Sequence, residues 1–304
     1  MAETYDHTLT AGSVFDVQDD LVPRIVSTVA DTYGVLPHAM SESLRSRGAD
    51  ELSPYEAVLR SFGYHERITA EEHQLVRGIL ERAVQRAPTS ADAWANLSLL
   101  YAEEYKHAFN ERPDALDRAL DAARRAVAAA PSNHLAYHAL AQALFFRREL
   151  AAFRNAADRV VALNPMDGGS VAFMGILMSY AGDWDRGCAL AERAMQLNPH
   201  HPGWYRFAAF NDAYRQGNDR AALDIALKFN MPSYFYTHIA QAVAYAQLGE
   251  REAARRALGE LLAQKPDFAA IARHELEKWN HAVPDLVERY LDGLRKAGLA
   301  IASE

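Results

Sequence analysis

The stretches VVALNPMDGG (residues 160–169) and AMQLNPHHPG (residues 194–203) share the tripeptide Leu-Asn-Pro, which recurs after 34 residues. Prolines follow this interval through most of the chain. Their successive spacings are 43, 34, 34, 33 and 34 residues, at Pro88, Pro131, Pro165, Pro199, Pro232 and Pro266. A 34-residue period is typical of stacked pairs of antiparallel helices. We expect each proline to end one pair, because proline cannot donate the next helical hydrogen bond.

Small and bulky residues recur at fixed positions between these prolines. Small residues let two helix backbones approach closely, and bulky ones fill the space around them. The unit after Pro131 carries Tyr137, Leu140, Ala141, Leu144, Phe153, Ala157 and Val160 in this pattern. Glycine is expected to end the first helix of a pair with a positive φ, at Gly182, Gly217 and Gly249.

These positions resemble, residue by residue, the pattern of the tetratricopeptide repeat (TPR). The resemblance implies an all-α fold, a TPR superhelix (α-solenoid) of about six helical hairpins spanning residues 53–266. The unit that starts at Trp204 and Tyr205 is one residue out of register. The interval of 43 predicts about nine inserted residues between Glu103 and Ala115, which we interpret as a tolerated surface insertion.

The two ends of the chain differ from the array. Residues 1–52 read as a strand-helix remnant of an N-terminal α/β domain plus a linker, with a strand in ETYDHTLT and a helix from Ser13. The stretch from Ser53 to Pro88 reads as a degenerate first repeat, with Ser53 as its helix cap and an apolar stripe that includes Leu75 and Ile79. Residues 267–304 predict two C-terminal capping helices.

The ends also resemble a bacterial family, through YDHTLTAGSVFDVQDDLV (residues 5–22) and YLDGLRKAGL (residues 290–299). In that family a class III adenylate cyclase or a helix-turn-helix regulator precedes a small α/β domain and a TPR array. The resemblance implies a regulatory or oligomerising region whose effector domain is absent here. None of the cyclase's metal-binding aspartates has a counterpart in this sequence, so the resemblance implies no catalysis.

Composition narrows the function further. The net charge is −8 and the pI is about 5.8, which argues against nucleic acid as the main partner. The single cysteine, Cys188, excludes an intrachain disulfide. The longest uncharged run, residues 168–182, is shorter than the roughly 20 residues that span a bilayer. We expect a cytoplasmic protein with no membrane contact.

Catalytic motifs are absent from the sequence. It contains neither a GxxxxGK[ST] phosphate loop nor a GxSxG turn. His134 and His138 share one helix face, but no HExxH glutamate accompanies them. The expectation is therefore a non-catalytic chain without a metal or cofactor, and a stand-alone enzyme is the least favoured hypothesis.

The remaining candidate site is the groove formed by the first helices of the hairpins. Chaperone-tail binders would need Lys and Asn at positions held here by residues such as Ala139 and Gly169, so that class is rejected. An apolar peptide or a partner helix fits the many aromatic positions better. Whether the chain also forms a homo-oligomer stays open. The predicted groove residues are Asn96, His138, Gln142, Phe145, Phe146, Phe173, Ile176, Tyr180, Arg206, Phe210, Tyr214 and Tyr236, with Leu99 and Val243 beside them.

Overall fold

The computed structural model describes residues 35–66 and 68–301, which form fifteen α-helices, two short 3-10 helices and no β-strand. The all-α prediction is therefore confirmed. The strand predicted near residues 3–10 and the helix from Ser13 lie outside the described residues. The α-helices are α1 (Val35–Leu44), α2 (Pro54–Phe62), α3 (Ala70–Arg86), α4 (Ala91–His107), α5 (Ala115–Ala129), α6 (His134–Phe146), α7 (Leu150–Leu163), α8 (Gly168–Tyr180), α9 (Trp184–Leu197), α10 (Phe207–Arg215), α11 (Asp219–Ala226), α12 (Phe235–Gln247), α13 (Arg251–Gln264), α14 (Phe268–Asn280) and α15 (Pro284–Ala297).

From α2 onward the helices pair into hairpins, and the Leu-Asn-Pro tripeptides end two of them. The proline blocks a further turn of helix. The asparagine before it folds the chain back, since Asn164 Oδ1 accepts from the Met166 backbone N–H at 3.3 Å and Asn198 Oδ1 from that of His200 at 3.0 Å. The next helix then begins at a side-chain cap, as where Asp167 accepts from Ser170 N–H.

Small residues hold each pair together, as the repeat pattern predicts. In the pair α8–α9, a Cβ atom on Gly175 would lie 2.7 Å from the Gly187 carbonyl oxygen and 2.9 Å from the Ala191 nitrogen. No side chain fits at that distance, so glycine is required there. In the pair α6–α7, Ala141 and Ala157 occupy the equivalent crossing and are fully buried.

The insertion predicted between Glu103 and Ala115 is present. Helix α4 has 17 residues where α6 and α8 have 13, and a loop of residues 108–114 follows it. The loop is fixed to α3, because Asn110 Nδ2 donates to the Ala70 carbonyl at 2.6 Å and Arg77 donates to the Asn110 carbonyl at 3.1 Å.

The first hairpin, α2–α3, begins at the predicted cap. Ser53 Oγ accepts from Glu56 N–H, and the Glu56 side chain accepts from Ser53 N–H, which completes a capping box. Helix α1 packs on α2, where Ser41 Oγ donates to the Arg60 carbonyl at 3.1 Å. One predicted core residue is wrong: Leu75 is 47% exposed, because α3 turns that position to solvent while Ile79 is buried.

Two helices follow the array, as predicted, and their contacts reach further than the end of the stack. Helix α14 has 13 residues and α15 has 14, the same lengths as in the pairs α6–α7, α8–α9 and α12–α13. Helix α15 packs closely on α12 and also reaches α10. The last hairpin therefore keeps the local form of a repeat but docks differently.

Candidate functional site

The first helices of the hairpins, α4, α6, α8, α10 and α12, follow one another along the array. We call the face that they turn towards α14 and α15 the inner face. Tyr290 of α15 packs its ring 5.1 Å from that of Tyr214 and 6.3 Å from that of Tyr236, measured between centroids. The last hairpin therefore covers part of the inner face.

A buried polar network fixes α15 in that position. Tyr290 OH donates to Asn211 Oδ1 at 2.7 Å and lies 2.5 Å from Tyr236 OH. Asn211 Nδ2 donates to Tyr180 OH at 3.1 Å. Burial raises the pKa values of Tyr180 and Tyr290 well above the usual value of a phenol, so these hydroxyls stay protonated and can donate. Four helices meet in this network.

Helix α14 reaches the middle of the inner face through long side chains. The Trp279 ring lies 5.0 Å from the Phe146 ring and 6.4 Å from the Tyr180 ring. The ring of His281, just after α14, lies 4.8 Å from that of Phe145. Residues near the C-terminal end of the array thus contact its third and fourth hairpins.

A chamber of about 230 Å³ remains between α14 and the inner face. Its walls come from seven α-helices (α2, α4, α6, α8, α10, α12 and α14), the 3-10 helix at Gly203–Arg206 and two loops. Most of the wall surface is apolar. The lining residues are Phe62, Ile68, Asn96, Leu99, Glu103, Lys106, His107, Leu135, His138, Gln142, Gly169, Ser170, Phe173, Ile176, Tyr180, Trp204, Phe207, Met231, Tyr234, Phe235, Tyr236, Ile239, Glu275, Leu276, Trp279 and Asn280.

Aromatic rings dominate the walls. His138 stacks on Phe173 with ring centroids 5.4 Å apart and planes 7° apart, and its Nδ1 lies 2.8 Å from Ser170 Oγ. Trp204 approaches Phe173 edge-on at 6.3 Å. The Lys106 ammonium sits 5.5 Å from the centroids of both Phe173 and Trp279. Such walls favour flat rings that stack on them or meet them edge-on.

The charges on the chamber wall are paired with one another. Lys106 Nζ lies 2.5 Å from Glu103, and His107 Nε2 lies 2.9 Å from the same carboxylate. On α14, Glu275 lies 2.5 Å from Lys278 and 3.4 Å from Lys265. Neither carboxylate offers an uncompensated charge to a ligand.

These pairs set the protonation of both carboxyls. Burial by itself raises the pKa of Glu103, but the charges of Lys106 and His107 outweigh it and hold that pKa below its usual value. For Glu275, burial is likewise outweighed by the hydrogen bond and charge of Lys278, and its pKa is also lowered. Both groups are therefore ionised at neutral pH.

Seven of the twelve predicted groove residues line the chamber. Their side chains meet there because the first-helix register predicted from the repeat places them on the inner face. Their role in binding stays a prediction. They are Asn96, His138, Gln142, Phe173, Ile176, Tyr180 and Tyr236, together with Leu99.

The other five do not line it, and their predicted placement in an open groove is wrong. Phe145 and Phe146 are 0% and 3% exposed, because His281 and Trp279 cover them. Phe210 and Tyr214 are 0% exposed and pack against Tyr290, and Val243 is equally buried.

Arg206 is the fifth of these residues. Its side chain does not line the chamber and instead donates to a ring nitrogen of His201 at 2.7 Å.

Sequence reasoning missed the wall that α14 contributes. Glu275, Leu276, Trp279 and Asn280 line the chamber, but no repeat register connects them to the inner face. A tryptophan among charged residues was the one available signal. The loop residue Tyr234 was missed because the fifth repeat has a shorter second helix, α11.

The two histidines considered as metal ligands have separate partners. His134 Nε2 lies 3.0 Å from Asp167, and His138 contacts Ser170. Within residues 35–66 and 68–301, no three His, Cys, Asp or Glu side chains are grouped as a metal site requires. In the same part of the chain, every helix is too short or too polar to cross a membrane.

Comparison with known proteins identifies the fold and leaves the function open. No protein-family model and no curated protein matches the sequence. The Cut9–Hcn1 hetero-tetramer of the APC/C matches with a TM-score of 0.61 at 16% identity, covering 93% of this chain and 52% of that one.

Two further solved structures match. The human IFIT1 dimer with m7Gppp-AAAA has a TM-score of 0.61 at 14% identity, over 83% of this chain and 60% of that one. A tetratricopeptide repeat protein from Parabacteroides merdae has a TM-score of 0.46 at 14% identity, over 80% of this chain and 98% of that one. This chain spans between half and two thirds of the length of Cut9–Hcn1 and IFIT1 chains. The described residues have the fold of a TPR superhelix.

Proposed function

We propose that the chain is a non-catalytic protein-interaction module, and that a peptide segment of its partner enters the chamber. The TPR fold supports a scaffold that holds other proteins. The observation that carries the site is the aromatic chamber between α14 and the inner face, lined by Phe173, Trp204 and Trp279.

The chamber suits a peptide anchor better than an extended helix. Tyr290 and Trp279 already cover the inner-face positions that a long partner helix would need. Binding energy in protein interfaces is concentrated in a few buried anchors. A single segment inserted beside Phe173 therefore accounts for recognition without displacing the last hairpin.

RNA is a less suitable ligand, although IFIT1 is a structural neighbour whose complexes contain capped RNA. Phosphate binding requires several unpaired cations. Here Lys106 is paired with Glu103 on the chamber wall, and the chain carries a net charge of −8. These charges favour a partner without phosphates.

The resemblance at the chain's two ends adds a proposal about context. The module would serve as the regulatory or oligomerising region of an adenylate cyclase-type or transcriptional regulator. The upstream reading frame tests this directly, and a frame that encodes neither effector domain rejects it.

Selection of peptides from a displayed random library, with the whole chain as bait, tests the chamber. We expect Phe173→Ala to weaken the binding of the selected peptides by at least about tenfold, because Phe173 is a half-buried ring of the chamber wall. Tyr55→Ala is the matched control, since Tyr55 is 66% exposed and lies outside the chamber. Peptides that bind wild type and Phe173→Ala equally well would place the site elsewhere.

A further inference from the structure

Two carboxamide groups in the chamber wall each have one buried atom that finds no hydrogen-bond partner among the described residues. Gln142 of α6 is 3% exposed, and its Nε2 has no partner among the described residues. Asn280 of α14 is 1% exposed; its Nδ2 donates to the Leu276 carbonyl at 3.0 Å, but its Oδ1 has no partner in the described part of the chain. Buried polar groups in folded proteins are almost always paired, so both point to a ligand.

The two groups offer complementary chemistry from two walls, one on α6 and one on α14. The Gln142 amide nitrogen is a donor, and the Asn280 oxygen is an acceptor. A peptide group carries one acceptor and one donor, the carbonyl and the N–H. A main-chain amide therefore satisfies both walls at once.

The remaining surface fits one ring. The chamber measures about 230 Å³, and an engineered apolar cavity of about 150 Å³ is large enough to bind benzene. The stacked pair of His138 and Phe173 and the ring of Trp279 both line it, and the Lys106 ammonium lies 5.5 Å from the centroids of Phe173 and Trp279. Offset-stacked and edge-on contacts with such walls favour an aromatic ring over an aliphatic group by about two- to tenfold.

Charge excludes ionic ligands. The Glu103 carboxylate is held by Lys106 and His107, and Glu275 by Lys278. A charged group entering the chamber would lose its hydration and would meet carboxylates that are already paired, which disfavours its binding. The ligand is therefore neutral.

We propose that the chamber binds one uncharged aromatic residue of a partner chain, with its ring against Phe173 and Trp279 and its main-chain amide bonded to Gln142 and Asn280. This deepens the proposed function and rests on it for the identity of the partner as a protein. The site is therefore formed jointly by the first helices of the repeats and by α14 of the last hairpin.

The test uses N-acetyl-phenylalaninamide as the probe and the whole chain as the receptor. Binding is followed by tryptophan fluorescence, excited where the probe does not absorb, and by isothermal titration. We expect saturable binding, with N-acetyl-leucinamide weaker by about two- to tenfold. Toluene, which has the ring without the amide, reports on the ring contact alone.

Gln142→Met separates the two contacts, because methionine keeps the length of the side chain and removes the donor. We expect this variant to lower the affinity for N-acetyl-phenylalaninamide by about tenfold and to leave the affinity for toluene unchanged. Asn280→Leu is the second variant, and circular dichroism checks that each variant folds. If Asn280→Leu does not fold, Gln142→Met decides the outcome alone.

Three results overturn the inference: no saturable binding of the phenylalanine amide, equal binding of the leucine amide, or no effect of Gln142→Met on the amide. The outcome also separates this inference from the proposed function. If selected peptides depend on Phe173 but not on Gln142, the function stands and the aromatic-amide assignment fails. If N-acetyl-phenylalaninamide binds as expected but no selected peptide uses the chamber, the aromatic-amide site stands and the proposed peptide-binding function fails.

Discussion

The pair α8–α9 and the pair α14–α15 have the same dimensions and dock in different ways. Each has a helix of 13 residues, a connection of three and a helix of 14. In the first pair, Gly175 lets α8 and α9 pack backbone to backbone. The equivalent position in α14 is Glu275, whose side chain does not allow that approach. Helices of repeat length therefore do not by themselves make a repeat.

The residues at the crossing and the turn decide the docking. Glu275 forms a buried pair with Lys278 instead of a tight helix crossing, and α14 and α15 meet less closely than α8 and α9 do. At the turn, Gly182 has a φ of +89°, whereas Ala282 takes its place in the last hairpin without a positive φ. The apolar side of α15 is buried and packs on α12, where the rings of Tyr290 and Tyr236 lie 6.3 Å apart between centroids.

Replacing Tyr290, which holds the last hairpin on the inner face, should have the largest effect on stability. Tyr290→Ala empties a fully buried site and removes the hydrogen bond to Asn211. We expect the free energy of unfolding to fall by about 4 kcal/mol, measured by urea denaturation. Tyr55→Ala, at a 66% exposed position, should change it by less than about 0.5 kcal/mol. A loss below about 1 kcal/mol for Tyr290→Ala would show that α15 is not docked on the inner face.

Breaking the ion pair of α14 has the next largest effect. Among the described residues, Lys278→Ala leaves the buried Glu275 carboxylate with only the longer contact to Lys265, at 3.4 Å. We expect a loss of about 3 kcal/mol in the same assay. The double variant Glu275→Ala, Lys278→Ala should be more stable than Lys278→Ala alone, because no charge is then stranded. Equal or additive losses would contradict a coupled pair.

Adding a methyl group at the crossing of α8 and α9 tests the regular pair. Gly175→Ala places its Cβ 2.7 Å from the Gly187 carbonyl oxygen, so the helices must separate. We expect the free energy of unfolding to fall by about 2 kcal/mol. Gly259→Ala is the control, since no atom of the described residues lies within 4 Å of its Cβ position; it should stabilise the fold by about 0.5 kcal/mol. Similar changes in the free energy of unfolding for both variants would show that close packing at Gly175 does not cause the loss.

Acid sensitivity gives the smallest effect. Burial lowers the pKa of His281 from its usual 6.5, and the charge of Arg148 lowers it further, against the opposing hydrogen bond to the Lys278 carbonyl. The unfolded chain therefore binds this proton at a higher pH than the folded chain. The contribution of His281 to the free energy of unfolding is therefore complete above pH 6.5 and is lost as the pH falls below that value. His281→Gln should flatten this part of the pH–stability curve, and an unchanged slope refutes the assignment.

The sequence was informative wherever structure depends on neighbours along the chain. The period predicted the hairpins, and the first-helix register brought His138, Gln142 and Phe173 to one surface. It failed where distant segments meet. The hydrogen bonds of Tyr290 to Asn211 and of Tyr214 to Arg289 join residues 79 and 75 positions apart. No local pattern reports such contacts, so Phe210 and Tyr214 looked available for a partner.

The covering of the inner face by α15 has a consequence for synthesis on the ribosome. Tyr214 emerges about 76 residues before Tyr290, which corresponds to roughly 4 to 15 seconds at about 5–20 residues per second. During that interval the tyrosines and phenylalanines of the finished hairpins have no cover. The nascent chain is then open to premature association, until residues 268–297 have left the ribosome and cover the inner face.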